Sequence, residues 1–441
     1  MKKQAIPISS FHCWFNDVLK IGGALLLGLW FAVAATSSLN AQVVAGTDYS
    51  DRAHVDNTFD MAGQDVFGQR FPSEHLTIKD EVSGIDIIAL TTSRHHNSKI
   101  YQDHPQWTPD GEYLVFRSSR AEGQYYAMSM DNFEIVQITT GDNNQFLHLG
   151  WTKNNAYQIR EGVLIEFDLG RLLEDSENDE VNPDPAHYET VVASLPPRVR
   201  ESGGMGLDAD EDRLFFASRL GPQQSAIYSI DFETGETTKH LEVPMWANHL
   251  QANEWVSGEI MYSWETGGDA PQRIWSVSVD EDGEVTHRPL YEENAEEWVT
   301  HEVFADKDHI IFNVMGHLDR LQKQPSGIFM MNIRTNEVTR LEQAGKGGYW
   351  HADATEDLKW AVGDTFDGNL YRINLETKEV KLLTAGHRPN GPSPFTREAH
   401  SHHSISPDGK WLLFNSSMLT SSDIMMVPLH PEGVDLPDVS W

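Results

Sequence analysis

Ser406-Pro407-Asp408-Gly409-Lys410-Trp411-Leu412-Leu413-Phe414 combines a tight turn with a strand-like apolar run. The same arrangement stands nearer the N-terminus, where Trp107-Thr108-Pro109-Asp110-Gly111 precedes Tyr113-Leu114-Val115-Phe116. A motif that returns within one chain indicates a repeated structural unit, and the spacing of the units predicts the architecture.

The blocks between these two copies are more diverged, but they keep a strand-like pattern. Short runs rich in Val, Ile, Phe, Tyr and Trp alternate with Asp-Gly, Thr-Gly and Asn-Glu turns, and helical periodicity is scarce. Seven blocks can be aligned, and they start near His104, His148, Gly204, His249, His301, His351 and His400. A period of roughly 50 residues with about four strands per block predicts an all-β fold, a seven-bladed β-propeller.

One strand-like segment stands outside the blocks, between Gly84 and Thr91. We expect it to pair into the last blade and close the ring, because closure leaves no free sheet edge. The propeller is therefore predicted over residues 84–441, and an N-terminal arm over 42–83. The polar stretch from Glu174 to Pro185 is predicted to be a mobile loop.

Residues 1–41 have the pattern of a signal peptide. Lys2 and Lys3 are followed by an apolar run from Ile21 to Ala35 and by small residues that end at Ala41. An uncleaved anchor is the alternative, but no stop-transfer flank follows. We therefore expect a periplasmic or secreted protein with no stable membrane insertion after cleavage. Cys13 is the only cysteine and lies in this segment, so disulfides would not stabilise the mature protein.

The formal charge of −34 limits the classes of partner. No basic patch is present, so nucleic acid is not an expected partner. Such an acidic surface suits a salty medium such as sea water. An anionic substrate would need local positive charge from arginine, histidine or a metal ion.

Histidines stand at six of the seven block starts. Residues before the first strand of a blade tend to line the propeller axis. A single histidine there would most often hydrogen-bond a neighbouring loop, but several converging imidazoles suit a metal site or a general base. His400 and His402 have i, i+2 spacing, which on an extended strand places both side chains on one face about 7 Å apart. His301 is the best candidate for a third ligand.

Five segments in the C-terminal half resemble those of the oligogalacturonate lyases, seven-bladed propellers that cleave pectin-derived oligomers by β-elimination. They occur in the family's order, and they are Asn248-His249-Leu250-Gln251, Gln272-Arg273-Ile274-Trp275, Thr300-His301-Glu302-Val303-Phe304, the stretch from His351-Ala352-Asp353 to Val362-Gly363-Asp364, and His400-Ser401-His402-His403 with the Ser406-Pro407-Asp408 that follows. The N-terminal half matches only as a generic propeller.

The resemblance implies a divalent ion, typically manganese, that three histidines and a glutamine hold. The histidines correspond to His301, His400 and His402, and the family's catalytic base to His249. The glutamine position is Arg397 here, and an arginine cannot ligate a metal. The ion would then have one protein ligand fewer, or another group would take that place.

β-Elimination from a uronate requires removal of the C5 proton, neutralisation of the carboxylate and departure of the oxygen at C4. We assign proton removal to His249, with Arg219 as a second catalytic residue, although Arg219 could equally form a surface ion pair. Arg397, His351, Trp350 and Arg273 are assigned to binding an acidic oligosaccharide or polysaccharide.

Three alternatives stay open. The same scaffold could carry a lyase for another marine uronate polysaccharide such as ulvan, which export and acidity favour. A non-catalytic TolB-like binding propeller would explain the Pro-Asp-Gly turns, but it would not explain the histidines. A glycosidase is weaker, because no pair of carboxylates stands out.

Overall fold

The computed structural model of the chain describes residues 66–142, 144–342, 344, 347–389, 399–439 and 441. The predicted signal peptide, the first part of the predicted arm and Arg397 lie outside these residues. The described residues contain thirty strands, which form seven small antiparallel sheets. The chain is therefore a seven-bladed β-propeller, as the repeat predicts.

Each blade is named by its strands from the propeller axis outwards. The first three blades are β4 (Asn97–Lys99), β5 (Tyr113–Ser118), β6 (Tyr125–Ser129), β7 (Ile135–Gln137) and β1 (Arg70–Phe71); β8 (His148–Leu149), β9 (Ala156–Arg160), β10 (Val163–Phe167) and β11 (Glu189–Ser194); and β12 (Met205–Leu207), β13 (Arg213–Gly221), β14 (Gln224–Asp231) and β15 (Thr237–Val243).

The remaining four blades follow the same order. They are β16 (Ala247–Ala252), β17 (Glu259–Trp264), β18 (Ile274–Val279) and β19 (Val285–Pro289); β20 (Val299–Phe304), β21 (His309–Val314), β22 (Gly327–Asn332) and β23 (Val338–Glu342); β24 (Ala352–Ala354), β25 (Trp360–Asp364), β26 (Leu370–Asn374) and β27 (Val380–Thr384); and β28 (Ser404–Ile405), β29 (Trp411–Ser416), β30 (Asp423–Pro428), β3 (Asp86–Ala89) and β2 (Leu76–Lys79).

The segment before the first block closes the ring, as predicted. In the seventh blade β3 pairs with β30, so that Ile88 lies opposite Met426 and Ala89 opposite Met425. Residues 66–83, which we expected to belong to the arm, add β2 outside β3 and β1 outside β7. The propeller therefore begins earlier in the chain than residue 84, because these short edge strands are too brief to show a sequence pattern.

The core lies between neighbouring blades. Seven apolar clusters of the described residues each combine side chains from two adjacent blades, and one of them joins the seventh blade to the first through Leu413, Ile424 and Leu114. Middle strands such as β29 are buried along most of their length, because both of their faces pack against a blade. This explains why they read as continuous apolar runs.

Among the described residues, helical structure is limited to short pieces. The stretch predicted to be a mobile loop begins in α1 (Leu169–Glu177), whose Leu169, Leu172 and Leu173 are buried. Further 3-10 turns span Arg120–Glu122, Pro185–His187 and Asp319–Lys323. Among the described residues, no helix combines the length and the apolar character needed to cross a membrane.

Candidate active site

Two β-bulges in adjacent blades carry histidines. In β16, Asn248 pairs with Ser263 and Gln251 with Met261, so one extra residue is inserted on the inner strand. β20 contains the same insertion between Thr300 and Val303. His249 and His301 occupy these bulges with φ values of 49° and 56°. A left-handed backbone is uncommon for residues other than glycine and is concentrated at functional sites.

The third blade supports the bulge of His249 through closely packed glycines. A Cβ atom on Gly203 would lie 2.2 Å from the carbonyl oxygen of Ala247, and one on Gly206 would lie 2.4 Å from the nitrogen of Ala252. Only glycine allows two backbones to approach this closely. The amide of Leu250, the residue after His249, donates to the carbonyl of Gly203 at 3.1 Å.

Three histidines from three successive blades meet near the axis. His301, His351 and His402 offer ligand atoms that all lie within 4.8 Å of one another. The ring of His351 is central, 4.2 Å from that of His301 and 4.6 Å from that of His402 between ring centres. Ligands of one metal ion, bound at about 2.0–2.2 Å, lie roughly 3–4 Å from each other, so small side-chain shifts would bring the three ligand atoms onto one ion.

Hydrogen bonds orient two of these rings. Nδ1 of His301 donates to the carbonyl of Trp350 at 2.6 Å, and Nδ1 of His351 contacts the carboxylate of Asp364 at 2.9 Å. Nε2 of His351 is buried, with no hydrogen-bond partner among the residues described. A carboxylate behind one ring nitrogen and an unpartnered second nitrogen are typical of a metal-binding histidine.

The surroundings keep the cluster neutral. Burial lowers the pKa of His351 well below its usual value, and His403 and His400 lower it further. Burial, and after it the neighbouring His351, also lower the pKa of His301 and of His402 well below the usual value. Neutral imidazole is the form that binds metals. The three residues therefore fit a divalent cation.

The cluster differs from the sequence-based ligand set at one position. His351, which we expected to bind substrate, stands beside His301 and His402, whereas the ring of His400 packs on Trp350 with centres 4.2 Å apart. The i, i+2 argument assumes an extended strand. However, β28 begins only at Ser404, and His402 has a φ of 38°. The two side chains therefore do not follow strand geometry.

His249 is backed by a buried ionic network. Its Nε2 lies 3.6 Å from Glu265, and Arg273 contacts both Glu265, at 3.4 Å, and Glu302, at 2.8 Å. Burial raises the pKa of Glu265, but the neighbouring His249 and the charge of Arg273 outweigh it and lower the pKa to about 2. An ionised carboxylate thus faces one ring nitrogen of His249, and the other nitrogen is left to accept a proton.

The predicted arginines lie at different depths. The guanidinium of Arg273 is buried between two glutamates, so it positions Glu265 instead of reaching a ligand. Arg219 is exposed, lies 4.6 Å over the ring of Trp246 and donates to the carbonyls of Gly221 and Pro222. Arg397 is outside the described residues.

Trp350 forms a wall of the histidine cluster. Its ring contacts those of His351 and His400, and the guanidinium of Arg388 lies over it, 5.0 Å from the ring centre. Arg388 is buried and was not expected from the sequence. Asp364 and Glu265 were also missed as orienting groups, although Asp364 stands in one of the family-like segments.

Tyr101 is the remaining unexpected member. Its ring centre lies 5.0 Å from that of His249 and 4.7 Å from that of His402, so one aromatic side chain joins the bulge of the fourth blade to the histidine cluster. No sequence motif singles it out. The residue predicted as the base and those predicted as metal ligands therefore lie at one axial site.

The fold is that of the oligogalacturonate lyases. An oligogalacturonate lyase solved in complex with manganese matches with a TM-score of 0.68 and 20% identity, over 83% of this chain and 99% of its own. The enzyme from Vibrio parahaemolyticus matches with a TM-score of 0.68 and 19% identity, over 84% and 100%. No protein-family model and no curated protein sequence matches the chain. At these identities the likeness establishes the propeller fold alone.

Proposed function

We propose that this protein is a lyase that cleaves uronate-containing glycans by β-elimination, with an oligogalacturonate as the first substrate to test. The observation that carries the proposal is the single axial site, in which Tyr101 contacts both His249 and His402. The site lies at the axis of a fold shared with oligogalacturonate lyases, one of which was solved with manganese.

His301, His351 and His402 would hold a divalent cation, with manganese the first candidate. When bound, such a cation supplies positive charge that neutralises a carboxylate and makes the adjacent C–H bond more acidic. This local charge matters because the chain as a whole carries −34 and repels anions. Arg388 beside Trp350 adds a second buried positive charge near the cluster.

His249 would remove the C5 proton. Glu265 at 3.6 Å holds one ring nitrogen and stabilises the imidazolium that forms, since the low pKa of Glu265 keeps it ionised. Arg273 and Glu302 hold Glu265 in place from behind. The products would be a shortened glycan and a sugar with a C4–C5 double bond.

The proposal includes export, which rests on the signal-peptide pattern of residues 1–41. An exported lyase meets polymers and large oligomers, so polysaccharides other than pectin belong in the same test. Ulvan is the second candidate, for which the acidic composition argues.

The test is an assay of unsaturated uronate by its ultraviolet absorbance, over galacturonate oligomers, pectate, alginate and ulvan. We expect absorbance to develop on one of these with Mn²⁺ and to stop with a chelator. His249→Ala should lose roughly 10² to 10⁴ in rate and keep its metal, whereas the exposed His75 serves as a matched His→Ala control. No absorbance on the whole panel would leave a binding propeller as the better reading.

A further inference from the structure

Tyr101 lies on an excursion from the innermost strand of the first blade. The chain leaves the ladder after Lys99, which pairs with Phe116, and returns at Gln106, whose carbonyl accepts from Val115 at 2.9 Å. Trp107 then pairs with Leu114. The residues from Ile100 to Pro105 are therefore extra with respect to the blade, and Tyr101 among them reaches the axial site.

The excursion is held by its own hydrogen bonds. The side-chain amide of Gln106 donates to the carbonyls of Tyr101 at 3.0 Å and His104 at 2.6 Å, and Nζ of Lys99 donates to the carbonyl of Ile100 at 2.8 Å. Gln102 reaches the carbonyl of His301 at 3.5 Å. Tyr101 is thus fixed relative to both the bulge and the cluster, as a preorganised catalytic group must be.

The hydroxyl of Tyr101 has no hydrogen-bond partner among the residues described, although the ring contacts His249 and His402. Several other proton donors near this site are engaged. Lys99 donates to Ile100, Arg273 is bound between two glutamates, and the cluster histidines fit a metal. A tyrosine hydroxyl so placed is available to a ligand that lies between the base and the cluster.

We propose that Tyr101 is the general acid of the elimination, which protonates the departing oxygen at C4; this rests on the proposed lyase function. The C5–H bond breaks and its proton goes to His249, while its electron pair forms the C4–C5 double bond. The C4–O bond breaks and its electron pair stays on oxygen, which takes the proton of the Tyr101 hydroxyl. Proton return from the imidazolium to the phenolate, directly or through water, restores both groups, and no co-reactant is consumed.

A pair of substrates separates this role from a structural one. Digalacturonate has a sugar alkoxide as its leaving group and needs a proton, whereas methyl 4-deoxy-4-fluoro-galactosiduronate loses fluoride and needs none. Tyr101→Phe should lower kcat/KM on digalacturonate by roughly 10² to 10⁴. On the fluoro substrate its kcat/KM should change by less than about tenfold, and the variant should keep its bound manganese. Tyr101→His keeps a ring and a proton donor and should recover part of the loss.

The matched control is Tyr228→Phe in β14, which removes a hydroxyl from a tyrosine stacked on Phe216 in the core. An equal loss of kcat/KM on both substrates would show that Tyr101 only positions its neighbours. An unchanged kcat/KM of Tyr101→Phe would show that its hydroxyl has no role. Either result overturns the proposal. A wild-type protein that eliminates from no uronate would overturn the proposed function and this inference together, whereas the variant results overturn the inference alone.

Discussion

At the scale of single residues, the candidate metal centre combines side chains that are far apart in the sequence. His301 comes from β20, His351 precedes β24 and His402 precedes β28. His351 is the best supported ligand of the three, because Asp364 holds its Nδ1 and its Nε2 is buried without a partner among the described residues. Within the cluster, His351 therefore stands in the place that the sequence-based set gave to His400.

The first prediction separates the two ligand sets. His351→Ala should lose bound manganese, whereas His400→Ala should retain most of it. Of these two residues, His351 belongs to the cluster whose ligand atoms lie within 4.8 Å of one another, and His400 does not. Asp364→Asn should weaken manganese binding by roughly 10- to 100-fold, as second-sphere carboxylates commonly do. Metal content after gel filtration and isothermal titration calorimetry with MnCl₂ measure these effects. Loss of metal in His400→Ala with retention in His351→Ala would restore the sequence-based set.

At the scale of elements, β3 closes the ring by pairing with β30. Ile87 of β3 is buried in the core shared by the sixth and seventh blades. Asp423 begins β30 at the same seam and accepts hydrogen bonds from Thr420 at 3.0 Å and Thr91 at 3.4 Å. Ring closure thus depends on both an apolar and a polar contact.

The second prediction concerns the apolar part of this seam. Ile87→Ala should lower the free energy of unfolding by roughly 2–5 kcal/mol, because it leaves a cavity where the first and last parts of the chain meet. Val191→Ala in β11 should change it by less than about 0.5 kcal/mol, since Val191 is 66% exposed. Guanidinium denaturation measures both. Equal effects of the two substitutions would mean that β3 does not close a cooperative ring.

The third prediction concerns the polar part. Burial raises the pKa of Asp423 to about 7, and the charge of Glu74, which pairs with Arg120, adds to this; hydrogen bonds from Thr420 and Thr91 oppose it. A raised pKa in the folded state stabilises the fold below the unfolded pKa, and this contribution is lost as the pH rises through 7.

Between about pH 4 and pH 8, wild type should therefore lose up to about 4 kcal/mol of unfolding free energy relative to Asp423→Asn. Urea denaturation at several pH values measures the difference. The exposed Asp86 in β3 supplies the matched Asp→Asn control. Parallel pH curves for wild type and Asp423→Asn would contradict the raised pKa.

At the scale of the whole molecule, the charge of −34 dominates. The apolar cores between the blades must hold the ring together against this repulsion. Under the proposed function the same field would repel the anionic substrate, so the local positive charge of Arg388 beside Trp350 would favour binding at the axial site.

The fourth prediction follows from that repulsion. The thermal midpoint should rise between about 0.02 M and about 0.5 M NaCl, because the Debye length falls from roughly 20 Å to about 4 Å and the carboxylates are screened. Differential scanning calorimetry measures the shift, and an equal osmolality of a neutral solute provides the control. A midpoint that falls with NaCl would mean that ion pairs contribute more than repulsion.

The sequence by itself determined the architecture and which kinds of residue line the axis. The period of the turns and apolar runs predicts the number of blades, because each blade is a local unit with its own turn chemistry. The closing strand was predictable from its alternating apolar residues, but β1 and β2 were not, since such short edge strands carry little pattern. The histidines at the block starts were visible because the repeat places equivalent residues at equivalent positions.

Only the tertiary structure decided which of those residues act together. The bulges of β16 and β20 and the left-handed backbone at His402 turn side chains away from simple strand geometry, so that His351 and not His400 joins the cluster. Tyr101 reaches the site on an excursion of the first blade, and Glu265 is held behind His249 by Arg273. These contacts join residues of different blades, and their distances are set by packing around the closed ring, which no local pattern encodes.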